Sequence, residues 1–258
     1  MRGNLPGTPD KDGFADALFE EDKLLLDREH VCPVCERTFT TKTVRAGVAA
    51  SDGVDMDLRP RFKNIDVLKY RVLECPVCGY ADMEKTFTQV GKRELPALRA
   101  GSADWKKDAE LEEGVLDYAA AYNHYKAALR NNLVRGLKNG RRGHTALCTA
   151  WLLRGWRESM KKNGTVVLDT DPMSKKEEMK LIKYAARCFT EAEAKEDFPI
   201  NGMAEATFDY LMAVLSYWLE NRRDAERYAL RALQNRTLNK TLRPMAEDLR
   251  DEIKKMPR

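Results

Sequence analysis

The sequence has little histidine and no long apolar run. Only 3 of its 258 residues are histidines. A membrane-spanning helix needs roughly 20 consecutive apolar residues, and the longest apolar cluster, at residues 211–219, is broken by Ser216. The N-terminal part lacks the apolar core of a secretory signal, because the three leucines at 24–26 lie among acids and bases. We therefore expect a cytoplasmic protein.

Signatures of the common enzyme classes are also absent. The chain contains no Walker loop, no G-x-G-x-x-G, no H-E-x-x-H and no G-x-S-x-G. Three scattered histidines leave little general-base chemistry to assemble. The sequence therefore predicts a protein that is not an enzyme.

Four of the six cysteines form two copies of one tetrapeptide. Cys-Pro-Val-Cys occurs at residues 32–35 and again at 75–78. Two thiolates separated by two residues can bind one metal from a tight turn, and two such turns supply the four sulfurs of a structural Zn²⁺ site. In a reducing compartment, close pairs indicate metal binding rather than disulfides. We expect one structural Zn²⁺ ion, with iron as the alternative metal, and these ligands: Cys32, Cys35, Cys75 and Cys78.

Other roles for the cysteines stay open. The two pairs could be buried thiols without a metal or dithiol redox pairs, although the βαβ context of thioredoxin-like motifs is missing. A catalytic zinc ion would need an open coordination position, and four cysteines close the shell. His30 could replace a ligand, but we expect a solvated or capping role for it. Cys148 and Cys188 lie on apolar helix faces and are expected to be core residues.

The sequence around the pairs has a β-like pattern. Leu68, Tyr70 and Val72 alternate with charged residues, which predicts a short strand running into Cys75. The 39 residues between the two pairs would hold the strand pair of a zinc ribbon and an extra loop at 46–64.

From about residue 105 onward the pattern is helical. Helices are predicted at 118–137, 144–160, 175–196, 203–220, 222–235 and 242–255, with an interruption at 161–173. Three of them contain Ala-x₃-Tyr/Phe/Ala-x₂-Ala, starting at Ala121, Ala185 and Ala225. This spacing is typical of the second helix of a tetratricopeptide repeat. The repeat spacing is irregular, so a generic helical bundle is the alternative.

These patterns predict an α+β fold that is mainly α: a small zinc-ribbon β domain followed by a tetratricopeptide-like helical array. The predicted boundaries are a flexible tail and lead-in at 1–27, the zinc-ribbon-like domain at 28–90 and the helical domain at 105–258. Residues 1–13 have almost nothing to bury and are expected to form a disordered or extended tail.

One stretch carries charge of a single sign. Residues 118–157 hold eight bases and no acid, although the net charge of the whole chain is only +4. This stretch could face an acidic peptide, a phosphate or RNA, or it could pair internally with acids of a later helix, such as Glu191, Glu193, Glu196 and Asp197. The candidate anion or partner contacts are Lys126, Arg130, Arg135, Lys138, Arg141 and Arg142, with Arg59, Arg61 and Lys63 from the loop between the cysteine pairs.

Several segments together carry a resemblance to a known family. They are the two Cys-Pro-Val-Cys pairs, Phe-Thr-Thr-Lys-Thr-Val-Arg at 39–45, Cys-Gly-Tyr-Ala at 78–81, Ala-Trp-Leu-Leu-Arg at 150–154 and Glu-Asp-Phe-Pro at 196–199. Over residues 28–235 the chain resembles the bacterial family called domain of unknown function 2225. The resemblance implies an N-terminal four-cysteine metal-binding region followed by tetratricopeptide-like helices in the bacterial cytoplasm, with no assigned activity. The chain departs from the expected pattern at Glu36, where we expect glycine.

We therefore expect a non-enzymatic zinc-binding adaptor or scaffold that binds a protein partner through its helical array. The alternative is an RNA-associated protein that uses the basic stretch at 126–142 and the loop at 59–63. Arg59, Arg61 and Lys63 flank Phe62, an arrangement that is found in nucleic-acid contacts. No membrane partner is expected.

Overall fold

The structure, a computed structural model, describes residues 20–103 and 114–257. The tail predicted at residues 1–13 lies outside these ranges. The described chain is α+β and mainly helical, with small two-stranded sheets near its N-terminus followed by a helical array. The predicted fold class is confirmed.

Within the described residues, six short strands form three two-stranded sheets, in which β1 pairs with β2, β3 with β4 and β5 with β6. Their bounds are β1 (Leu25–Val31), β2 (Thr38–Val44), β3 (Ser51–Val54), β4 (Pro60–Phe62), β5 (Val72–Glu74) and β6 (Ala81–Met83). The strand that was predicted to run into Cys75 is β5. The residues just before it, Val67–Tyr70, form a 3₁₀ turn instead, because the Asp66 side chain caps that turn by accepting a hydrogen bond from the Leu68 amide.

Seven α-helices of eight or more residues follow in the described chain: α1 (Leu95–Ala103), α2 (Tyr118–Val134), α3 (Asn139–Lys162), α4 (Lys175–Glu193), α5 (Glu205–Trp218), α6 (Arg222–Gln234) and α7 (Leu242–Lys254). The six predicted helices correspond to α2–α7, and α3 begins five residues earlier than predicted. Helix α4 begins after Ser174, whose hydroxyl accepts a hydrogen bond from the Glu177 amide at 3.3 Å. None of the helices in the described ranges is long and apolar enough to cross a membrane.

The chain divides into two compact units. The first takes residues from Met1–Asp52, Arg61–Gly136 and Thr149–Glu178, and the second from Gly53–Pro60, Leu137–Cys148 and Met179–Arg258. Both cysteine pairs and helix α2 lie in the first unit, and helices α5–α7 lie in the second. The domain boundaries derived from the sequence stay a prediction.

The core of the second unit consists largely of α5 and the helices packed against it. Residues 208–216 of α5 are all buried, and α6 packs against both α5 and α7. Helices α3 and α4 approach closely at Gly143, where a Cβ atom would lie 2.9 Å from the Phe189 ring and 3.2 Å from the Ala185 carbonyl oxygen. A larger residue at position 143 would therefore force the Phe189 ring or the two helix backbones to shift.

The residues of the three Ala-x₃-Tyr/Phe/Ala-x₂-Ala patterns are buried in the structure. Their nine residues are at most 2% exposed: Ala121, Tyr125, Ala128, Ala185, Phe189, Ala192, Ala225, Ala229 and Ala232. Small side chains at the outer positions leave room for a neighbouring helix, as the pattern indicates. The comparison with tetratricopeptide repeats stays a prediction.

Candidate metal centre

Each cysteine pair forms the turn of an antiparallel β-hairpin. The first pair connects β1 to β2, and the second connects β5 to β6. In the first turn the Cys32 amide donates to the Arg37 carbonyl oxygen at 3.0 Å, and in the second the Cys75 amide donates to the Tyr80 carbonyl oxygen at 2.8 Å. The repeated tetrapeptide therefore corresponds to a repeated backbone geometry.

The residue that follows each pair is in the left-handed region. Its φ angle is 63° at Glu36 and 67° at Gly79. The amides of these residues donate to the carbonyl oxygens of Cys32 and Cys75 at 2.9 and 2.8 Å. Glycine adopts such angles freely, whereas other residues lose about 1–2 kcal/mol there. Glu36 stands where glycine is expected, but the first turn has the same backbone conformation as the second.

The four sulfur atoms of the two turns come together. All four lie within 4.8 Å of one another. The Sγ atoms of Cys32 and Cys78 are 3.6 Å apart, as are those of Cys35 and Cys75. Sulfurs that bind Zn²⁺ at about 2.3 Å from the corners of a tetrahedron are separated by about 3.8 Å. The four-cysteine set therefore has the right size and donor chemistry for one tetrahedral metal ion.

Burial and mutual contact perturb the thiols. Cys32 and Cys75 are fully buried, whereas Cys35 and Cys78, the second residue of each pair, are half-buried. Hydrogen bonding to Cys32 and Cys75, with burial adding to it, raises the pKa of the Cys78 thiol well above its usual range. A bound cation would offset this, because coordination removes the thiol proton and balances the thiolate charge. All six cysteines of the chain are free thiols.

Apolar side chains surround the sulfurs. The cluster that contains Cys32 and Cys75 includes Phe39, Tyr80 and Phe87. His30 lies beside this cluster, with its ring centroid 5.6 Å from that of Phe39. Burial lowers the pKa of His30. Its contacts are those of a half-buried aromatic residue, and the ligand cluster among the described residues contains only the four cysteines.

Helix α2 is attached to the second hairpin by buried polar contacts. The Asn131 side chain donates to the Ala81 carbonyl oxygen of β6 at 3.1 Å, and the Tyr125 hydroxyl donates to the Leu68 carbonyl oxygen at 2.9 Å. At the end of the helix, Arg135 lies 2.7 Å from the Asp82 carboxylate, and the two side chains are 2% and 1% exposed. The contacts of Asn131 and Arg135 are to β6, the strand that leaves the second cysteine turn.

Arg135, at the end of α2, contacts several polar side chains. Its Nε atom lies 3.0 Å from a carboxylate oxygen of Glu94, and Nη1 donates to the Tyr80 hydroxyl at 3.2 Å. Arg135 is one of the candidate anion contacts predicted from the sequence. In the structure it lies beside acids of its own unit.

The other candidate contacts of the first unit are exposed or paired. Lys126 and Arg130 lie on the exposed side of α2, and the Lys126 ammonium lies 5.0 Å from the centre of the Tyr122 ring. Two more contacts come from the loop between the cysteine pairs: Arg61 lies 3.5 Å from Glu158, and Lys63 lies 3.9 Å from Asp52.

The remaining four candidate contacts belong to the second unit. Lys138 is exposed and Arg141 is half-buried. Arg142 donates to the Tyr184 hydroxyl at 2.9 Å. Arg59 is buried and lies 3.5 Å from Asp55. Anion or partner binding by any of the nine basic residues stays a prediction.

Among the acids expected as internal partners, Glu191 acts on a base of the stretch, because its charge adds to the Tyr184 hydrogen bond that raises the pKa of Arg142. Glu196 accepts a hydrogen bond from the Gly140 amide at 2.9 Å, and Glu191 accepts one from the Asn139 side chain at 3.0 Å. Glu193 pairs with Arg231 of α6.

Three exposed cations of α4 are not among the candidate contacts predicted from the sequence. Lys180, Lys183 and Arg187 all lie on the exposed side of α4. The charge summed over residues 158–258 concealed them, because 19 bases and 18 acids nearly cancel there. Helical spacing was the available signal: residues at i, i+3 and i+7 share one face.

Fold and site together define a mainly helical α+β protein with a cluster of four cysteines that could hold a metal ion. The sequence model of one protein family, described as "Uncharacterized protein conserved in bacteria (DUF2225)", matches residues 25–253. The chain belongs to this family, and the resemblance noted in the sequence is confirmed. A search of the curated proteins finds no match to the chain, and a search of the solved structures finds none either.

Proposed function

We propose that this protein is a non-enzymatic adaptor in the bacterial cytoplasm. In this proposal a structural Zn²⁺ ion holds the two cysteine hairpins, and the helices bind a protein partner. The observation that carries the proposal is the size of the four-sulfur cluster, whose measured edges are 3.6 Å.

Zinc is favoured by the donor set. Four thiolates in two hairpin turns are the usual ligands of closed, tetrahedral, structural zinc sites. Such a shell has no open position for a substrate or an activated water, which supports a structural role. A bound ion would cross-link the β1–β2 hairpin to the β5–β6 hairpin. The backbones of these two hairpins orient the sulfurs.

The amides of the first turn also suit a charged centre. The Val34 amide donates a hydrogen bond to the Cys32 sulfur at 3.4 Å. Hydrogen bonds from backbone amides to a thiolate favour its charged form. Together with the six free thiols, this supports a reducing compartment such as the cytoplasm.

An adaptor role is supported by the contacts between helix α2 and the second hairpin. Helix α2 receives buried polar contacts from β6, so the metal centre would stabilise a helix that carries exposed cations of its own, Lys126 and Arg130. A small metal-stabilised fold combined with packed helices provides a rigid surface for a partner.

The test combines metal analysis with capture of a partner. The full chain is purified from a bacterium that encodes it, zinc and iron are quantified by mass spectrometry, and cross-linked partners are identified with and without nuclease treatment. We expect about one zinc per chain, and one protein that is recovered reproducibly and survives nuclease. Recovery that depends on nucleic acid would overturn the protein-adaptor role, and bound iron would overturn the assignment of zinc.

The matched control is a pair of cysteine variants. Cys35→Ser removes a ligand, whereas Cys188→Ser changes a buried cysteine of the second unit. The proposal requires the first variant to lose its metal and the second to keep both metal and partner.

A further inference from the structure

Strand β1 of the first unit lies at the edge of a two-stranded sheet. It pairs with β2 over seven consecutive residue pairs, from Leu25 with Val44 to Val31 with Thr38. Within the described residues these two strands make up the whole sheet, so each has a neighbouring strand on one side only. Prolines and bulges commonly block such edges. Strand β1 contains no proline, and its register is continuous.

The hydrogen bonds at the two ends of β1 show which of its residues face outward. In an antiparallel pair, residues that exchange hydrogen bonds with the partner alternate with residues whose N–H and C=O groups point away from it. The Cys32 amide donates to the Arg37 carbonyl oxygen at 3.0 Å, and the Arg45 amide donates to the Leu24 carbonyl oxygen at 2.9 Å. The even-numbered residues of β1 therefore bond to β2, and the odd-numbered residues point outward.

Three successive outward residues of β1 have main-chain groups without a partner. Within residues 20–103 and 114–257, no hydrogen bond reaches the N–H or C=O groups of Asp27, Glu29 or Val31. All three residues are exposed, and Val31 is 56% exposed. At Leu25, by contrast, the carbonyl oxygen accepts a hydrogen bond from the Arg45 side chain at 2.7 Å. We call Asp27, Glu29 and Val31 the β1 edge.

The outer side of β2 is less accessible. Its outward residues Lys42 and Val44 are half-buried, and the 3₁₀ turn at Val67–Tyr70 packs against this strand. The Lys42 ammonium lies 3.0 Å from the carboxylate of Asp22 and 3.3 Å from that of Asp27. An incoming strand would therefore find more of the main chain accessible along β1 than along β2.

The side chains of the β1 edge are acidic at two of its three positions. Outward residues share one face of the sheet, and the charged residues of β1 and β2 on this face are Asp27, Glu29 and Lys42. In the part of the chain that the structure describes, no ion pair contains Glu29. Arg28 lies on the opposite face, 3.1 Å from Glu84. Glu29 is thus the acid of the β1 edge that an incoming cation could neutralise.

We infer that the β1 edge binds an extended segment of the protein partner as an added strand, an inference that rests on the proposed adaptor function. Main-chain hydrogen bonds to the free groups would supply affinity, and the neighbouring side chains would supply selectivity. Basic residues opposite Asp27 and Glu29 would pair charges across the strands. The preferred segment therefore carries lysine or arginine at alternate positions.

A second copy of this chain fits the β1 edge less well. Twofold antiparallel pairing of two β1 strands centred on Glu29 would place Glu29 opposite Glu29, and pairing centred on Arg28 would place Asp27 opposite Glu29. Like charges directly opposite each other destabilise a strand pair. Natural edge strands use charged side chains to avoid association with themselves. The charges of the β1 edge thus favour a strand of opposite charge.

The test uses the isotope-labelled full chain and the peptide Thr-Lys-Thr-Lys-Thr-Lys-Thr, with Thr-Glu-Thr-Glu-Thr-Glu-Thr as the control peptide. Amide chemical shifts give the Kd, and water-exchange spectra give the exchange rate of single amides. We expect the lysine peptide to bind with a Kd on the order of 1 mM. At about ten times the Kd, exchange of the β1-edge amides should slow about tenfold, because about a tenth of the chain then remains unbound. The Thr38 and Thr40 amides of β2 should keep their rates.

Two proline variants distinguish the two strands. Glu29→Pro removes an outward N–H group, and proline is tolerated at edge positions of this kind. Thr40→Pro is the matched control, because Thr40 pairs with Glu29 across the sheet. We expect Glu29→Pro to weaken the Kd at least about tenfold and Thr40→Pro less than about twofold, whereas Glu29→Gln, which keeps the N–H group, should weaken it about threefold. Metal content and circular dichroism verify that the proline variants fold, and Glu29→Gln decides the outcome where they do not.

Several results would overturn the inference. They are equal binding of the lysine and glutamate peptides, protection of β2 amides in place of β1 amides, and no binding at millimolar peptide. Protection of the β1 edge that increases with protein concentration in the absence of peptide would assign this edge to a second copy of the chain and would also overturn the inference.

The adaptor function has its separate test in the nuclease-resistant partner. If Glu29→Pro recovers that partner as well as the wild type does, the adaptor function stands and the β1 edge is not its binding surface. If no partner is recovered although the lysine peptide protects the β1 edge, the strand-binding site stands and the adaptor function is overturned.

Discussion

Glu36 and Gly79 occupy the same position in the two cysteine turns. Their φ angles are 63° and 67°. The amide of each donates to the carbonyl oxygen of the first cysteine of its own turn. One turn therefore has the residue that suits a left-handed backbone, and the other places a glutamate there.

Replacing the glutamate in the first turn should stabilise the protein. Glu36→Gly removes the Cβ atom that makes a positive φ costly, so we expect the free energy of unfolding to rise by about 0.5–1 kcal/mol. The Glu36 side chain is 81% exposed and lies 3.6 Å from Arg99, and such an exposed pair contributes little. Urea unfolding of the metal-loaded protein measures the difference.

The reciprocal change provides the control. Gly79→Ala places a Cβ atom at the equivalent position and should destabilise the protein by about 1 kcal/mol. If Glu36→Gly lowers stability as well, the two turns do not obey the same backbone constraint.

Loss of a metal ligand should unfold the hairpins and spare most of the helices. Cys75→Ser removes one of four ligands, and the hairpins have few other cross-links, since β5 and β6 are three residues each. We expect zinc content to fall from one per chain toward zero, and amide hydrogen exchange to accelerate across β1, β2, β5 and β6. Far-ultraviolet circular dichroism should change little, because α5–α7 belong to the other unit.

Unchanged metal content in Cys75→Ser would contradict the four-cysteine site. Cys148→Ser is the comparison, since Cys148 is buried on α3 and is not part of the sulfur cluster. It should keep its zinc.

The four-cysteine cluster could be predicted from the sequence because a duplicated tetrapeptide encodes both the cysteines and the turns that hold them. The helices could be predicted because their apolar residues recur with a helical period, although α3 began earlier than expected. Strand β1 was missed because its residues are mostly exposed and polar, so neither alternation nor an apolar run marks it. Its partner β2 and the cysteine turn define it instead.

Charge pairing was the part that the sequence did not reveal. Asp82 and Glu94 lie 53 and 41 residues before Arg135, and only the fold brings them together. Counting charges along the chain treats Arg135 and Lys126 alike, yet one is buried beside carboxylates and the other is exposed. Burial, which depends on tertiary packing, decides between these roles.

Removing the buried arginine should be strongly destabilising. Arg135→Met leaves the Asp82 carboxylate buried without its partner at 2.7 Å, which typically costs about 3–5 kcal/mol. Arg135→Met with Asp82→Asn should recover part of the loss. Lys138→Met, at an exposed position, should change stability by less than about 0.5 kcal/mol. Equal effects of the two single variants on the denaturant midpoint would contradict the buried pair.

Glu178 should support stability at neutral pH and lose that effect in acid. The carboxylate is fully buried and lies 2.9 Å from Arg154 and 3.2 Å from Lys175. Burial acts to raise its pKa, but the charges of Arg154 and Arg157 and the Arg157 hydrogen bond bring it below the usual range. The native state therefore holds this proton less tightly than the unfolded state, so the contribution is present above the ordinary glutamate pKa and disappears as pH falls through the lowered value.

The expected cost of Glu178→Gln is about 3 kcal/mol at pH 7, because three cations lose their anion, and the deficit should shrink in acid. Glu247→Gln, at an exposed position on α7, serves as the comparison and should leave the pH profile unchanged. A deficit that is independent of pH would contradict a role for the charge of Glu178.

Asp209 should have the opposite pH dependence. Its side chain is 2% exposed and lies 3.0 Å from Arg231. Burial, against the opposing charge of Arg231 and with the charges of Glu205 and Glu193 adding to it, raises the pKa of this carboxyl to about 6. Because the native state binds the proton more tightly than the unfolded chain, stability should increase as pH falls through about 6 toward the ordinary aspartate value, and the penalty should be fully present at pH 7.

Asp209→Asn should flatten this part of the profile. Each unit of pKa shift corresponds to about 1.4 kcal/mol. The difference in free energy of unfolding between the wild type and the variant should therefore change by roughly 2 kcal/mol between pH 7 and pH 4. Urea midpoints at a series of pH values, compared with those of Glu178→Gln, measure both slopes in one experiment. If Asp209→Asn and the wild type keep a constant difference across this range, then Arg231 keeps the carboxylate charged throughout, and burial does not control its proton.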